Sequence, residues 1–261
     1  MTISPTVRRN DRAGTQNPQL VAGTFPRKVP ATFRAAVSWS GGKDSCTALH
    51  RMHEKYDVVS MLTMFDEEGA RSRSHGLRPE ILEAHAALMG LKFVSRQCSW
   101  ATYTASFTDA LRELRDDDIT HVIFGDIMFE EHRGWAEEVC AEAGLIAIEP
   151  IWGEPTSSML REFLETGGEA MIVTARAGFL DSSWLGRPLT LDLLTHFPRI
   201  GVDPCGENGE YHTLVTNSPL FQRPLQVRSA GHVLRSGCWA LDIELVDTVA
   251  PVAGGVVASR D

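Results

Sequence analysis

The sequence predicts an α/β protein: a doubly wound parallel five-stranded sheet followed by a second, smaller mixed α/β domain. Three features carry that expectation. From Arg34 to Ile148, short apolar runs alternate with stretches of helical period, the pattern of parallel strands joined by right-handed helical crossovers. Polar clusters at 40–45, 65–78 and 125–133 each follow an apolar run. In such sheets ligands bind at the carboxyl ends of the strands, so these clusters converge on one edge. Finally, Pro150 to Pro155, with Trp152 and Gly153, interrupts the alternation.

Each element has its own signal. Arg34 to Trp39 is an apolar run broken by Ser40-Gly41-Gly42. Asp44 and Ser45 offer caps for the helix that follows, with Cys46, Leu49, His53 and Tyr56 near one face. Val58 to Met64 reads as the second strand. Pro79 opens a helix that buries Ile81, Leu82, His85, Leu88 and Met89, and Gly90 closes it. Leu91 to Ser95 is the third strand, and Tyr103 to Arg115 a helix with Phe107, Ala110, Leu111 and Leu114 inward. Ile119 to Phe124 is the fourth strand, ending at Gly125-Asp126. Glu130 to Ala143 is helical up to Gly144, and Leu145 to Ile148 is the fifth strand. Further on, Ser157 to Glu165 and Leu189 to Phe197 read as helices and Ala170 to Ala175 as a strand. Leu225 to Val249 alternates like β-structure. Residues 1–33, rich in proline and lacking a period, read as a disordered extension; the domains then span 34–149 and 150–261.

Composition narrows the class. The 261 residues carry a formal net charge of −9, which argues against broad binding to a nucleic-acid backbone. No apolar run is long enough to span a membrane, and no signal peptide opens the chain, so a cytoplasmic location is expected. The five cysteines, Cys46, Cys98, Cys140, Cys205 and Cys238, include no CxxC pair. Reduced thiols are therefore expected rather than zinc or a disulfide. A homodimer is compatible with the sequence, although no motif in it demands one.

The chemistry concentrates in Ser40-Gly41-Gly42-Lys43-Asp44-Ser45, between a strand and a helix. Two glycines allow a tight turn that bares backbone N–H groups, and the helix adds the positive end of its dipole. Ser40 and Ser45 supply hydroxyls and Lys43 a charge. This is a phosphate cradle, yet not a Walker A loop: Val37 stands where that motif has its first glycine, and Asp44 follows the lysine. The plain alternative is a Gly-Ser turn before a capped helix. The string resembles the PP-loop of the N-type ATP pyrophosphatases, which cleave ATP between the α and β phosphates. That resemblance implies a Rossmann-like, HUP-type sheet, ATP bound by Ser40, Gly41, Gly42, Lys43, Asp44 and Ser45, and Mg²⁺ on Asp44.

A second motif, Gly206-Glu207-Asn208-Gly209-Glu210-Tyr211-His212-Thr213, places two glutamates, a histidine and a threonine in a glycine-rich stretch. Its carboxylates can bind Mg²⁺, orient an ammonium ion or act as a base, and His212 can move a proton or bond a phosphate. A solvated hairpin turn around Asn-Gly is the competing reading. The segment resembles the GE-G-GE-[FY]-H-T signature of the diphthine–ammonia ligase family. Gly125-Asp126-Ile127 and Pro150-Ile151-Trp152 also match that family, over about residues 34 to 222.

The resemblance implies an ATP-dependent, AMP-forming amide ligase that adenylates a carboxylate and amidates it with ammonia. In that family the acceptor is diphthine on elongation factor two. It makes 34–149 the PP-loop ATP-binding domain and 150–261 the acceptor-binding one. Lys43, Asp44, Glu207, Glu210 and His212 become catalytic candidates. Gly125 and Asp126 join the ATP site, Glu210 joins Asp44 on Mg²⁺, and His75, Asn208 and Thr213 face the acceptor. Arg71, Arg73 and Arg78 fit either an acidic substrate or a solvated loop. The rival readings are adenylation of another small carboxylate, tRNA thiolation, which the absent CxxC and negative charge oppose, and a non-catalytic adenine-nucleotide sensor.

Overall fold

The structure, a computed structural model, describes residues 33–246. The expected disordered extension and the end of the β-patterned tail lie outside the described residues. Strands β1 (Arg34–Ser38), β2 (Asp57–Phe65), β3 (Lys92–Gln97), β4 (His121–Ile123) and β5 (Ile146–Ile148) form a parallel sheet ordered β3-β2-β1-β4-β5. The chain fills one side of β1 first and then the other. Neighbours β1 and β4 therefore flank the topological switch point, where the loops diverge and leave a crevice. The Ser40–Ser45 and Gly125-Asp126 segments both open onto it.

Helices α1 (Lys43–Met52), α2 (Pro79–Met89), α3 (Tyr103–Asp116) and α4 (Glu130–Ala143) cover the sheet. The two-residue period of β1 sorts its side chains to the two faces. Ala35 and Val37 join a core with Leu49 and Ile81, whereas Ala36 packs with Leu111 and Val139. Gly90 and Gly144 close α2 and α4 in the left-handed conformation, as their positions predict. The start of α1 differs from expectation: Gly42 is its N-cap residue, so Asp44 and Ser45 sit in its first turn. The Ser45 hydroxyl folds back onto the Gly42 carbonyl at 3.1 Å instead of capping.

Beyond the turn at 150–155 come α5 (Thr156–Glu165), β6 (Glu169–Arg176), a short 3-10 turn (Ser182–Trp184) and α6 (Leu193–Arg199). Strands β7 (Tyr211–Asn217), β8 (Val227–Arg235) and β9 (Cys238–Leu245) complete an antiparallel sheet ordered β7-β6-β9-β8. Two local expectations fail here. Leu189 is not helical, because its N–H pairs with the Ala170 carbonyl at 2.8 Å. Tyr211, His212 and Thr213 are not loop residues but open a buried strand.

The two sheets share one core, which runs from Leu49 and Ile81 to Ile172, Leu214 and Ile243. Fully buried His85 pins them together. Its Nδ1 accepts from the Trp39 indole at 3.1 Å, and its Nε2–H donates to the Val215 carbonyl at 2.8 Å. Both ring nitrogens are used by a neutral imidazole, and burial pushes the pKa down to about 4. Among the described residues no helix is long and apolar enough to cross a membrane.

Candidate active site

Above the switch point lies a cavity of about 460 Å³, within the usual range for a small-molecule site. Its wall brings together Ser40, Lys43, Asp44 and Ser45 after β1, His75 after β2, Gly125 and Asp126 after β4, and Glu207, His212 and Thr213 beside β7. The two sequence motifs thus meet in one space.

The loop after β1 is built from backbone. Gly41 has a φ of +88°, and its carbonyl accepts the Val215 N–H at 2.9 Å. The Ser40 hydroxyl accepts the Gly42 N–H and lies 3.2 Å from the Ser45 hydroxyl. The Lys43 N–H donates to Thr213 Oγ1 at 3.1 Å, across 170 residues of sequence. Gly125 is required by close approach: a Cβ there would stand 2.7 Å from the Ser45 nitrogen. A Cβ on Gly42 would stand 2.2 Å from His75 Cε1, so the imidazole lies flush against the loop. Gly41 and Gly42 shape the cavity without forming its wall.

Charge inside the cavity is uneven. Lys43 is 3% exposed; its Nζ donates to Asp44 Oδ2 at 2.8 Å and to the Cys205 carbonyl, and lies 5.4 Å from the Tyr211 ring centre. Burial works against its charge, but Asp44 and other nearby groups, Glu207 among them, outweigh it and hold the pKa well above the ordinary value. Burial first, then Asp44, pushes Glu207 up to about 8. Burial also raises Asp126, although His132 Nδ1 stands 3.4 Å away. Asp44, Asp126 and Glu207 therefore crowd around a single ammonium, with the Asp126 and Glu207 carboxyls holding their protons more tightly than usual.

His75 and His212 stack with ring centres 4.7 Å apart. The His75 Nδ1–H donates to the Thr213 carbonyl at 2.7 Å. Enclosure lowers His75 to about 4 and His212 to about 3, with Lys43 acting in the same direction on both. At neutral pH both rings are uncharged, suited to exchanging a proton or bonding a phosphate oxygen, not to supplying positive charge.

Side chains build the loop before β7. Asp203 Oδ1 accepts the N–H groups of Cys205 and Glu207 at 2.8 and 3.3 Å, and Oδ2 accepts the Thr156 hydroxyl at 2.7 Å. The Tyr211 hydroxyl donates to the Pro204 carbonyl at 2.5 Å. This architecture corrects two expectations. Glu210 is 1% exposed and off the cavity wall; its Oε1 accepts from the Asp203 N–H at 3.0 Å and from the Asn208 amide at 3.1 Å. It braces the loop from behind the cavity wall, with Oε2 buried and without a partner, rather than lining the cavity beside Asp44 as expected. Exposed Asn208 belongs to the same brace and does not face the cavity.

Among the described residues no group of three or more His, Cys, Asp and Glu is placed to hold a metal. Mg²⁺ commonly uses only one or two carboxylates and takes its other ligands from phosphates and water. Asp44, on the cavity wall, fits that arrangement; Glu210 does not line the cavity.

Sequence reasoning missed an aromatic wall. Trp100, Tyr103, Phe129 and Trp135 line the cavity together with His132. The position of Trp100 and Tyr103 just past β3 was the available signal. The sequence also left the arginines of the β2–α2 segment undecided. Arg71 and Arg78 pair with Asp242 on β9, while Arg73 donates to the Cys98 carbonyl and covers Trp100 at 5.0 Å. Cys46 and Cys140 are core residues.

Comparison with known proteins follows the same division of the chain. The family model described as the diphthamide synthase N-terminal domain matches residues 33–147, and that of the diphthamide synthase C-terminal domain matches 155–247. A mouse protein named diphthine–ammonia ligase is 26% identical over 85% of this chain and 89% of its own. A fission-yeast protein of the same name is 27% identical over 70% of this chain but only 34% of its own, so this chain corresponds to about a third of it. The human protein of that name is 25% identical over 85% of this chain and 89% of its own. Both halves of the chain are thus accounted for by one pair of models, and the chain belongs to the diphthamide synthase family.

Proposed function

We propose that this protein is an ATP-dependent amide ligase that adenylates a carboxylate and then amidates it. The observation that carries the reading is the junction of the phosphate loop with the Glu207–Thr213 segment in one cavity, tied through Lys43 N–H and Thr213 Oγ1. In this reading Ser40, Ser45, Lys43 and the start of α1 hold the β and γ phosphates. Asp126 faces the nucleoside. Asp44 holds Mg²⁺, which when bound offsets phosphate charge. The acceptor carboxylate attacks the α-phosphorus and pyrophosphate leaves with the bridging oxygen's electron pair. Ammonia then attacks the acyl carbon and AMP departs, giving the amide. Glu207, once ionised, holds an ammonium ion and takes its proton, freeing the nitrogen lone pair. His212, neutral, is placed to relay that proton.

The relatives' name supplies a finer reading, with diphthine as acceptor and ammonia as nitrogen donor. The family resemblance adds elongation factor two as the carrier of diphthine. In this finer reading the second sheet contributes the acceptor side, with His75 and Thr213 nearest the loop. The test is to measure pyrophosphate and AMP formed from ATP, Mg²⁺ and ammonium against diphthine-bearing elongation factor and a panel of small carboxylates. Acceptor-dependent release of both in equal amounts is expected. Release of ADP and phosphate sinks the mechanism, and turnover only with another carboxylate reassigns the acceptor.

A further inference from the structure

The segment between β2 and α2 carries His75 into the cavity and is gripped at two points by the second sheet. At one, His75 donates to the Thr213 carbonyl of β7 at 2.7 Å. At the other, Arg78, the residue preceding α2, places Nε 2.9 Å from Asp242 Oδ1 and NH2 2.5 Å from Oδ2. Arg71 adds a contact to the same carboxylate at 2.9 Å, and Glu244 lies 3.5 Å from Arg78. A forked guanidinium on a carboxylate fixes direction as well as distance. The arginine pair holds Asp242 down to about 2, so the carboxylate is ionised at any working pH.

The turn between the two arginines is stiff. The Ser72 N–H donates to the Leu77 carbonyl at 2.8 Å, and the Leu77 N–H to Ser72 Oγ at 3.0 Å. The Arg73 N–H donates to the Met64 carbonyl at 2.9 Å. Movement at Arg71 and Arg78 is therefore passed to His75, which has no slack against Gly42. The phosphate loop does not share this dependence, because Val215 and Thr213 hold it directly.

We infer that Asp242, on β9 and outside the cavity wall, is a positioning residue that presses His75 onto the phosphate loop through Arg71 and Arg78. Its effect on turnover rests on the ligase reading; its effect on His75 does not. The groups facing the His75 ring are the His212 ring, the Thr213 carbonyl, Gly42 and the Lys43 ammonium.

The experiment is an NMR titration of the His75 ring in the full chain, assigned with His75→Asn, for wild type, Asp242→Asn and Asp242→Glu. Wild type and Asp242→Glu are expected to stay neutral from pH 8 to 5. Asp242→Asn is expected to titrate near the ordinary value of about 6.5. If Asp242→Asn does not fold, Arg78→Lys, which keeps charge but loses the fork, takes its place. A His75 that stays silent in the variant overturns the clamp, whatever happens to thermal stability. In the turnover assay, Asp242→Asn should lower kcat at least tenfold with KM for ATP within threefold. A displaced His75 with unchanged kcat overturns the positioning role. A wild type without turnover counts against the ligase reading alone, and the titration still decides the clamp.

Discussion

The loop after β1 and the loop before β7 wall the same cavity on opposite plans. The first is backbone: glycines, amide hydrogens and a helix start, with Lys43 and Asp44 as its charged pair. The second is held by side chains, with Asp203, Glu210 and Tyr211 bonding its own main chain. A motif residue of the first loop therefore belongs to the site or to its shape. In the second loop, identical residue types divide: Glu207 faces the cavity, and Glu210, three positions on, is scaffold.

That contrast can be broken by experiment. In the ligase reading Lys43→Ala removes the charge that meets the phosphates and should lower turnover per folded molecule by about a thousandfold, as for lost electrostatic donors; the melting temperature should fall as well, because the buried ammonium also holds Asp44 and the Cys205 carbonyl. Steady-state pyrophosphate release checks it. Glu207→Gln should cost about a hundredfold while ATP binding, followed by calorimetry, persists. Loss of both together would make the second loop part of the nucleotide grip.

Acid sharpens the comparison, because the second loop and its neighbours bury imidazoles. His85, His75 and His212 have pKa values depressed in the folded state, so only the unfolded chain takes up protons between about pH 6.5 and 4. Stability present above pH 6.5 is lost as pH falls, by up to about 1.4 kcal/mol per unit for each ring. Glu207, raised to about 8, and Glu149, raised to about 7, work the other way, because there the folded chain holds the extra proton. Urea midpoints at pH 7 and 5 are therefore compared between wild type and His75→Asn; an equal pH dependence in the two would show that the His75 ring is solvated.

The smallest effect separates the two glutamates. Glu210→Ala leaves the Asp203 N–H and the Asn208 amide without their acceptor and should destabilise by about 2 kcal/mol. Turnover per folded molecule should stay within about threefold. Collapse of turnover at unchanged stability would return Glu210 to the chemistry.

Much of this was legible in the chain. Periodicity located β1 to β5 and the four helices between them, because a strand buried on both faces and an amphipathic helix each write their packing locally. The loop after β1 was legible because its glycines and serines shape it from their own backbone and near neighbours. The roles of Glu207 and Glu210 were not. Which one turns inward depends on Asp203 and on Gly206, whose Cβ would lie 2.6 Å from the Tyr211 carbonyl. Strand β7 was hidden because Tyr211 follows directly on a glycine-rich turn. His75 finds its hydrogen-bond partner in Thr213, 138 residues away.

Those long-range ties give the molecule an order of assembly. The parallel sheet is complete in sequence at Ile148, yet the Lys43 amide finds its partner only at Thr213, and Gly41 only at Val215. Contacts of such separation form late, since the intervening chain must close first. A nascent chain therefore exposes its glycine turn long before it owns a finished cavity. The chamber closes only once β7 has left the ribosome and docked, so the first possible binding event waits for the second sheet.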